Sequence, residues 1–226
     1  MRHSTSGSKR WILVTAACGV LSVGCSSPGN HDSTSVGASP SNSAAVQPLT
    51  LSKLRSLLLT PADLGAGYTQ DAAKTEEGNQ YDDVSIQGCP SLEKLDSDSS
   101  GMHFATEAQV SYTYHTDSGL GEELHSDAPA TLSKKLQTLF STYISCPSYT
   151  LTSGTTPIEV TIAKSDTPDL GDEQFAYTST MQLPAGPQIL KTLAVRQGNV
   201  AVMLVGAPAL VDRHIEAAVA KLGTLG

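Results

Sequence analysis

The residues with the best-defined chemistry in this sequence are its four cysteines, because a thiol can be alkylated, oxidised to a disulfide or bound to a metal. Cys18 and Cys25 lie in the first apolar stretch, whereas Cys89 and Cys146 lie far apart in the rest of the chain. None of the four has the short cysteine and histidine spacing of a zinc site. The spacing therefore favours covalent modification and disulfide formation over metal binding.

Cys25 ends a segment that is typical of a bacterial lipoprotein signal. Residues 2–10 are positively charged, and the uncharged run that follows is too short to span a bilayer. Gly24 provides the small residue at the cleaved bond, and Cys25 provides the thiol. Leu21 lies one position further from the cysteine than is usual in such signals. We predict that residues 1–24 are a signal peptide and that Cys25 carries lipid, palmitate included.

Three alternatives compete with this interpretation. A secretory signal cleaved after Ala17 or Gly24 would leave a free thiol on a secreted protein, which is uncommon. A membrane-spanning anchor would need a longer apolar run. Cys18 could accept the lipid, but its use would halve the apolar run. We therefore expect an extracytoplasmic protein that is anchored to the cell membrane through the lipid on Cys25.

Cys89 and Cys146 are expected to form a disulfide, since thiols in an oxidising compartment usually pair. The bridge would close a loop of about 57 residues. In the chain-entropy estimate such a loop is worth about 4 kcal/mol of stability. The alternative is that both residues are buried free thiols.

Composition limits the classes of partner. The chain carries a formal net charge of −8, and its basic residues are scattered, which excludes the basic patch of a nucleic-acid binder. Residues 25–48 are rich in Ser, Thr, Gly and Ala, and we interpret them as a disordered, lipidated tether. Residues 49–226 are long enough for one globular domain.

The apolar pattern of residues 49–226 predicts an α+β fold: an antiparallel, meander-like sheet with helices packed on one face. Leu49–Leu59 has helical spacing, and residues 104–116 alternate as a strand does. A long helix is predicted from Pro129 to Cys146 and a last one from Pro208. Gln197-Gly198-Asn199 indicates a hairpin between the last two strands.

Residues that could support catalysis or metal binding do not form a recognisable motif. Asp82-Asp83 and Glu122-Glu123 are adjacent pairs whose side chains point apart, so solvated loop charge is the favoured interpretation. Residues 169–173 are expected to form a turn, with calcium binding only weakly indicated. Tyr112 and Tyr114 could line a ligand cavity, but core packing is expected. We predict a non-enzymatic protein without cofactor or metal.

Several short motifs, in a consistent order, resemble the PknH-like extracellular sensor domain that actinobacteria attach to a receptor kinase or carry on lipoproteins. They are residues 58–64, Cys89, residues 143–146, Gly171-Asp172 and residues 194–200. The resemblance implies an α+β domain over residues 49–226, with an antiparallel sheet beside a ligand-binding cleft. Kinase sensor domains of this family have two disulfides, whereas this chain has cysteines for one besides the lipidated residue.

These observations predict a membrane-anchored envelope lipoprotein with a non-catalytic domain. Its partner is expected to be a small molecule, a glycolipid or cell-wall fragment, or an envelope protein; the binding residues are not identified by sequence. One alternative is a structural or protein-interaction module, which would show an exposed apolar patch. Another is a hydrolase whose site is assembled from distant residues, which would bring His, Ser and Asp together.

Overall fold

The structure is a computed structural model that describes residues 46–72, 84–98 and 100–223, and in those residues nine strands pair into one sheet. In chain order the strands are β1 (Tyr68–Gln70), β2 (Val84–Gln87), β3 (Thr106–Tyr114), β4 (Ser118–Ser126), β5 (Ser148–Ser153), β6 (Thr156–Lys164), β7 (Glu173–Leu183), β8 (Gly186–Gln197) and β9 (Val200–Gly206). The predicted signal peptide, Cys25 and nearly all of the predicted tether lie outside the described residues.

The described residues form five α-helices, and all but the first begin at a proline. They are α1 (Leu51–Arg55), α2 (Pro61–Leu64), α3 (Pro90–Ser97), α4 (Pro129–Ile144) and α5 (Pro208–Leu222). In the last four, proline occupies the first turn, where its missing N–H costs no hydrogen bond. None of these helices is both long and apolar enough to cross a bilayer.

The sheet confirms the predicted fold class. Its order is β1-β3-β4-β9-β8-β7-β6-β5-β2, and all neighbouring strands are antiparallel. Strands β5 to β9 are consecutive neighbours, which is the expected meander. Gln197 pairs with Val200 across the two-residue turn Gly198-Asn199, as the hairpin signal predicts. The fold is α+β, with one antiparallel sheet.

The helices, however, pack on both faces of the sheet, which corrects the expectation that they share one face. Val200 and Val202 of β9 contact the core that contains α5, whereas Ala201 between them contacts the core that contains α4. Successive side chains of a strand point to opposite faces. The α5 core therefore covers one face at the centre of the sheet, and the α4 core covers the other.

The first helix also ends earlier than its apolar spacing predicts. Thr50 caps α1 as expected, but the helix stops at Arg55, and Leu57 and Leu59 are buried in irregular backbone. The N–H of Leu59 donates to the carboxylate of Glu122 on β4, and the carbonyl of Leu59 accepts a hydrogen bond from the hydroxyl of Tyr112 on β3, at 2.6 Å each. These tertiary bonds take the backbone groups that a longer helix would have used.

The predicted disulfide joins Cys89, which caps α3, to Cys146, which follows α4. Both cysteines are buried, and together with Leu92 they form a small third core. Residues 43–226 constitute one compact unit, and the disulfide and all three cores lie inside it. This unit therefore contains the interactions that it needs to fold on its own.

The disulfide is expected to contribute about 2–4 kcal/mol to the free energy of unfolding, mainly by restricting the unfolded chain. The variant with both Cys89→Ala and Cys146→Ala should lose this amount in urea denaturation of residues 43–226. The control is reduction: dithiothreitol should destabilise the wild type and leave the double variant unchanged. Equal sensitivity of both proteins to the reductant would contradict the prediction.

Candidate functional site

Carboxylates that the sequence singled out are held by internal contacts where the structure describes them. Asp172 and Glu173 bind Arg196, with Nη1 3.0 Å from Asp172 Oδ2 and Nε 2.6 Å from Glu173 Oε2. Asp172 Oδ2 also accepts the N–H of Gly198, which ties this turn to the β8–β9 hairpin. Both carboxylates are therefore already paired with a cationic side chain. Asp82-Asp83 lies outside the described residues.

Glu122 is not solvated loop charge, which corrects the sequence-based interpretation. It lies on β4, opposite Val110 of β3 and Leu204 of β9, and its side chain is 1% exposed. Glu123 points to the other face, where its Oε2 lies 3.3 Å from His125 Nε2. The two side chains do point apart, as predicted, but the strand carries Glu122 into the α5 core.

The alternation of β4 contains the signal that could have located Glu122. Leu120 and Leu124 lie two residues to either side of it and are fully buried. A period of two therefore places Glu122 on the apolar face. Gly119 and Gly121 obscure this pattern, since glycine gives no indication of which face is buried.

The Glu122 carboxyl fixes the chain that follows α1. Its Oε2 accepts the N–H of Leu59 at 2.6 Å, and Tyr112 donates its hydroxyl to the carbonyl of the same residue. Glu122 Oε1 has no hydrogen-bond partner among the described residues. Burial is the main reason that the pKa of Glu122 rises to about 7, and that of Tyr112 to about 12. Tyr112 is thus a core residue, as expected.

The described structure has a cleft of about 450 Å³ between the end of α4 and strands β6 and β7. Ile144 closes it from the helix, while Phe175 and Ala176 contribute from β7. Phe175 is held in place by stacking on Phe140 of α4, with ring centroids 5.3 Å apart. The volume is in the range of small-molecule sites.

Polar groups line the rest of the cleft. The polar lining consists of Lys164, Ser165, Asp166, Thr167 and Gln174. The Oγ of Ser165 lies 2.5 Å from Thr178 Oγ1. Apolar side chains with a few hydroxyl, amide and charged groups suit a ligand that is partly apolar and partly hydroxylated. The sequence did not predict these lining residues, because α4, β6 and β7 come together only through the sheet order.

Two histidines of the described chain, His125 and His214, are buried. His214 Nε2 lies 2.6 Å from the hydroxyl of Tyr68, and His125 lies beside Glu123. Neither ring contacts a serine hydroxyl, so the triad expected of a hydrolase is not assembled from these two residues. The described residues also contain no group of three side chains that could hold a metal ion.

Comparison with known proteins identifies the fold. No protein-family model and no curated protein sequence matches the chain. Its structure is similar to that of the extracellular domain of PknH from Mycobacterium tuberculosis, with a TM-score of 0.57 and 12% identity over 79% of this chain and 98% of that domain. The PknH-like fold that the motifs indicate is therefore confirmed.

A second solved structure has a weaker similarity. It is an uncharacterized protein (Rv0999 ortholog) from Mycobacterium smegmatis, with a TM-score of 0.42 and 12% identity over 76% of this chain and 96% of that chain.

Glu122 should make stability depend on pH. Its pKa is higher in the folded protein than in the unfolded chain, so the folded state holds a proton that the unfolded state has lost between about pH 4.5 and pH 7. Stability from this group is present at low pH and is lost as the pH rises. From about pH 5 to about pH 8, the wild type should lose roughly 2–3 kcal/mol more unfolding free energy than Glu122→Gln.

Urea denaturation of both proteins across this range would test the effect. Glu159→Gln is the matched control, because it removes an exposed carboxylate on β6 and should retain the wild-type pH dependence. If Glu122→Gln and the wild type have parallel pH profiles, Glu122 is not the responsible group.

Proposed function

We propose that this protein is a non-catalytic, extracytoplasmic domain, held at the cell membrane by lipid on Cys25, that binds a small molecule or a glycolipid fragment. The observation that carries the binding part of the proposal is the cleft between α4 and strands β6 and β7. Such a cleft between a helix and the sheet is the feature that the sequence-based hypothesis required.

The anchoring part rests on the sequence of the first 25 residues. Each buried methylene of an acyl chain contributes about 0.8 kcal/mol to membrane binding, so two or three chains hold a protein almost permanently. The disulfide supports the same location, because disulfides persist in oxidising compartments. The tether would separate the domain from the lipid surface by about 25–30 Å.

The chemistry of the cleft supports binding without catalysis. The hydroxyl of Ser165 contacts another hydroxyl, that of Thr178, and neither His125 nor His214 lines the cleft. Lys164 and Asp166 provide one charge of each sign, which suits a neutral ligand with several hydroxyl groups. The apolar residues Ile144 and Phe175 provide contact area for a hydrocarbon portion.

An envelope protein as partner is the second candidate. The segment 186–190 of β8 pairs with β7, but β9 reaches only to Lys191, so no strand of the described chain lies beside the other edge of this segment. Ile189, in this segment, is 50% exposed. Open edges can accept another strand.

Native mass spectrometry of the protein purified from an actinobacterial host should detect a co-purifying mass that solvent extraction removes. Thr167→Trp, which places an indole in the cleft, should lose this mass. Thr155→Trp, on the exposed β5–β6 turn, is the matched control and should keep it. A clean apo mass in the wild type would refute ligand binding, and a ligand retained by Thr167→Trp would place the site elsewhere.

Cys25→Ser should abolish lipid attachment, because serine lacks the thiol that is alkylated. The wild type should partition into the detergent phase of Triton X-114 and yield an acylated N-terminal peptide, whereas Cys25→Ser should yield no acylated peptide. Cys18→Ser is the control and should behave like the wild type. Acylation that persists in Cys25→Ser and disappears in Cys18→Ser would show that Cys18, and not Cys25, carries the lipid.

A further inference from the structure

Two tyrosine rings lie beside an exposed arginine on α5, and this group of residues has no role in the proposed function. The rings of Tyr68 on β1 and Tyr114 on β3 lie 4.6 Å apart, and the Cζ of Arg213 lies 5.8 Å from the centroid of Tyr114. The hydroxyls of Tyr114 and Tyr68 lie within reach of the guanidinium, and both interactions raise the pKa of Arg213.

Arg213 has no carboxylate partner among the described residues, although the protein is acidic. Its neighbour Asp212 is paired with Lys191, with Oδ1 2.6 Å from Nζ. Glu216, one helical turn further on, forms no ion pair with Arg213 in the described chain. By contrast, Arg196 binds two carboxylates. A guanidinium has five N–H donors, so Arg213 retains donors that the tyrosine oxygens do not occupy.

Internal contacts hold the ring cluster in place. The hydroxyl of Tyr68 lies 2.6 Å from Nε2 of the buried His214, which follows Arg213 on α5. The ring of His115 lies 4.0 Å from that of Tyr114, and the backbone N–H of His115 donates to the carbonyl of Gly67 at 2.8 Å. His115 has a φ of 56°, a conformation that is uncommon for a residue with a side chain.

Gly67 allows the backbone to approach this cluster. Its φ is 93°, and a Cβ at this position would lie 3.0 Å from Cε2 of Tyr114 and 3.2 Å from Cε1 of His115. A larger residue would therefore displace the rings. The contacts with His214, His115 and Gly67 therefore hold the tyrosine rings in place, while the guanidinium is exposed to solvent.

We propose that Arg213, Tyr68 and Tyr114 form a binding site for a phosphate group. Arginine donors match the oxygens of a phosphate bidentately, and charge-assisted hydrogen bonds of this kind are stronger than neutral ones. A carboxylate has two oxygens, both of which an arginine fork would occupy. A phosphate retains further oxygens for the hydroxyl of Tyr114, while the hydroxyl of Tyr68 lies against His214 and keeps the rings in place. This set of donors therefore fits phosphate better.

The phosphate group could belong to a soluble molecule or to a lipid headgroup, and this site is separate from the cleft at α4. Arg213 belongs to α5, and its tyrosine partners belong to β1 and β3, none of which lines that cleft. Phosphate binding here therefore neither requires nor excludes a ligand in the cleft.

The first experiment measures the thermal unfolding midpoint of residues 43–226 in glycerol phosphate and in chloride at equal ionic strength. A ligand that binds only the folded state raises this midpoint. The wild type should show a saturable rise, and Arg213→Gln should weaken the apparent affinity about tenfold or more. Tyr68→Phe, which removes one hydroxyl, should weaken it less.

Arg55→Gln is the matched control, because Arg55 is an exposed arginine on α1. Phosphate stabilises many proteins without a specific site, and this general effect should be equal in the wild type and in both arginine variants. Equal responses of all three proteins would therefore overturn the proposal.

The second experiment identifies the source of the phosphate group by co-sedimentation of residues 43–226 with vesicles. Binding to vesicles that contain phosphatidylglycerol, which Arg213→Gln loses and Arg55→Gln retains, would assign the site to a lipid headgroup. Arg213-dependent binding of glycerol phosphate without vesicle binding would assign it to a soluble phosphate. Vesicle binding that both arginine variants retain, together with no Arg213-dependent midpoint shift, would refute the site.

Discussion

The burial of strands β8 and β9 on both faces is the constraint on which the rest of the domain depends. Leu193, Val195 and Val202 face the α5 core, while Ala194 and Ala201 face the α4 core, and all five are completely buried. Small side chains on the α4 side let this helix bring Leu132, Leu136 and Phe140 close to the sheet. Removing water from both faces supplies the main stabilising free energy. The outer strands are positioned by pairing with these two central strands. The outer strands in turn position the cleft and the Arg213 cluster.

The parts of the fold that follow from local patterns could be predicted from the sequence. The alternation of β3, the apolar stripe of α4 and the turn at Gly198-Asn199 each specify one element without reference to the others. The position of the helices relative to the sheet could not be predicted in this way, because the continuous apolar run of β9 suits either face. The burial of Glu122 is hard to predict for a related reason. A glutamate is normally expected at the solvent-exposed surface, but here its place on β4 and the hydrogen bond from the N–H of Leu59 allow the side chain to be buried.

Four of the five short motifs that indicate a PknH-like domain contact one another in pairs, which explains why the motifs identify a fold although none identifies a function. Cys89 is bonded to Cys146, and Asp172 contacts both Arg196 and Gly198. Leu59, in the first motif, is fixed by Glu122 and Tyr112. These residues hold loops and edges to the sheet. Apart from Ile144, the residues of the cleft and of the Arg213 cluster lie outside these motifs, so the candidate sites are apparent only in the folded chain.

The way in which the chain enters the domain determines how a mechanical load would act on it. The described chain begins beside the β8–β9 turn, where Asn199 Nδ2 donates to the carbonyl of Gln47 and the N–H of Leu49 donates to Ser126 Oγ. Tension applied from the N-terminal side would load and break these two hydrogen bonds first, and the hydrogen bonds of Leu59 next. The long ladders between β4, β9 and β8 would bear load only after α1 had been pulled away. With the anchor proposed above, the chain would extend by unravelling its first helix while its sheet stays folded.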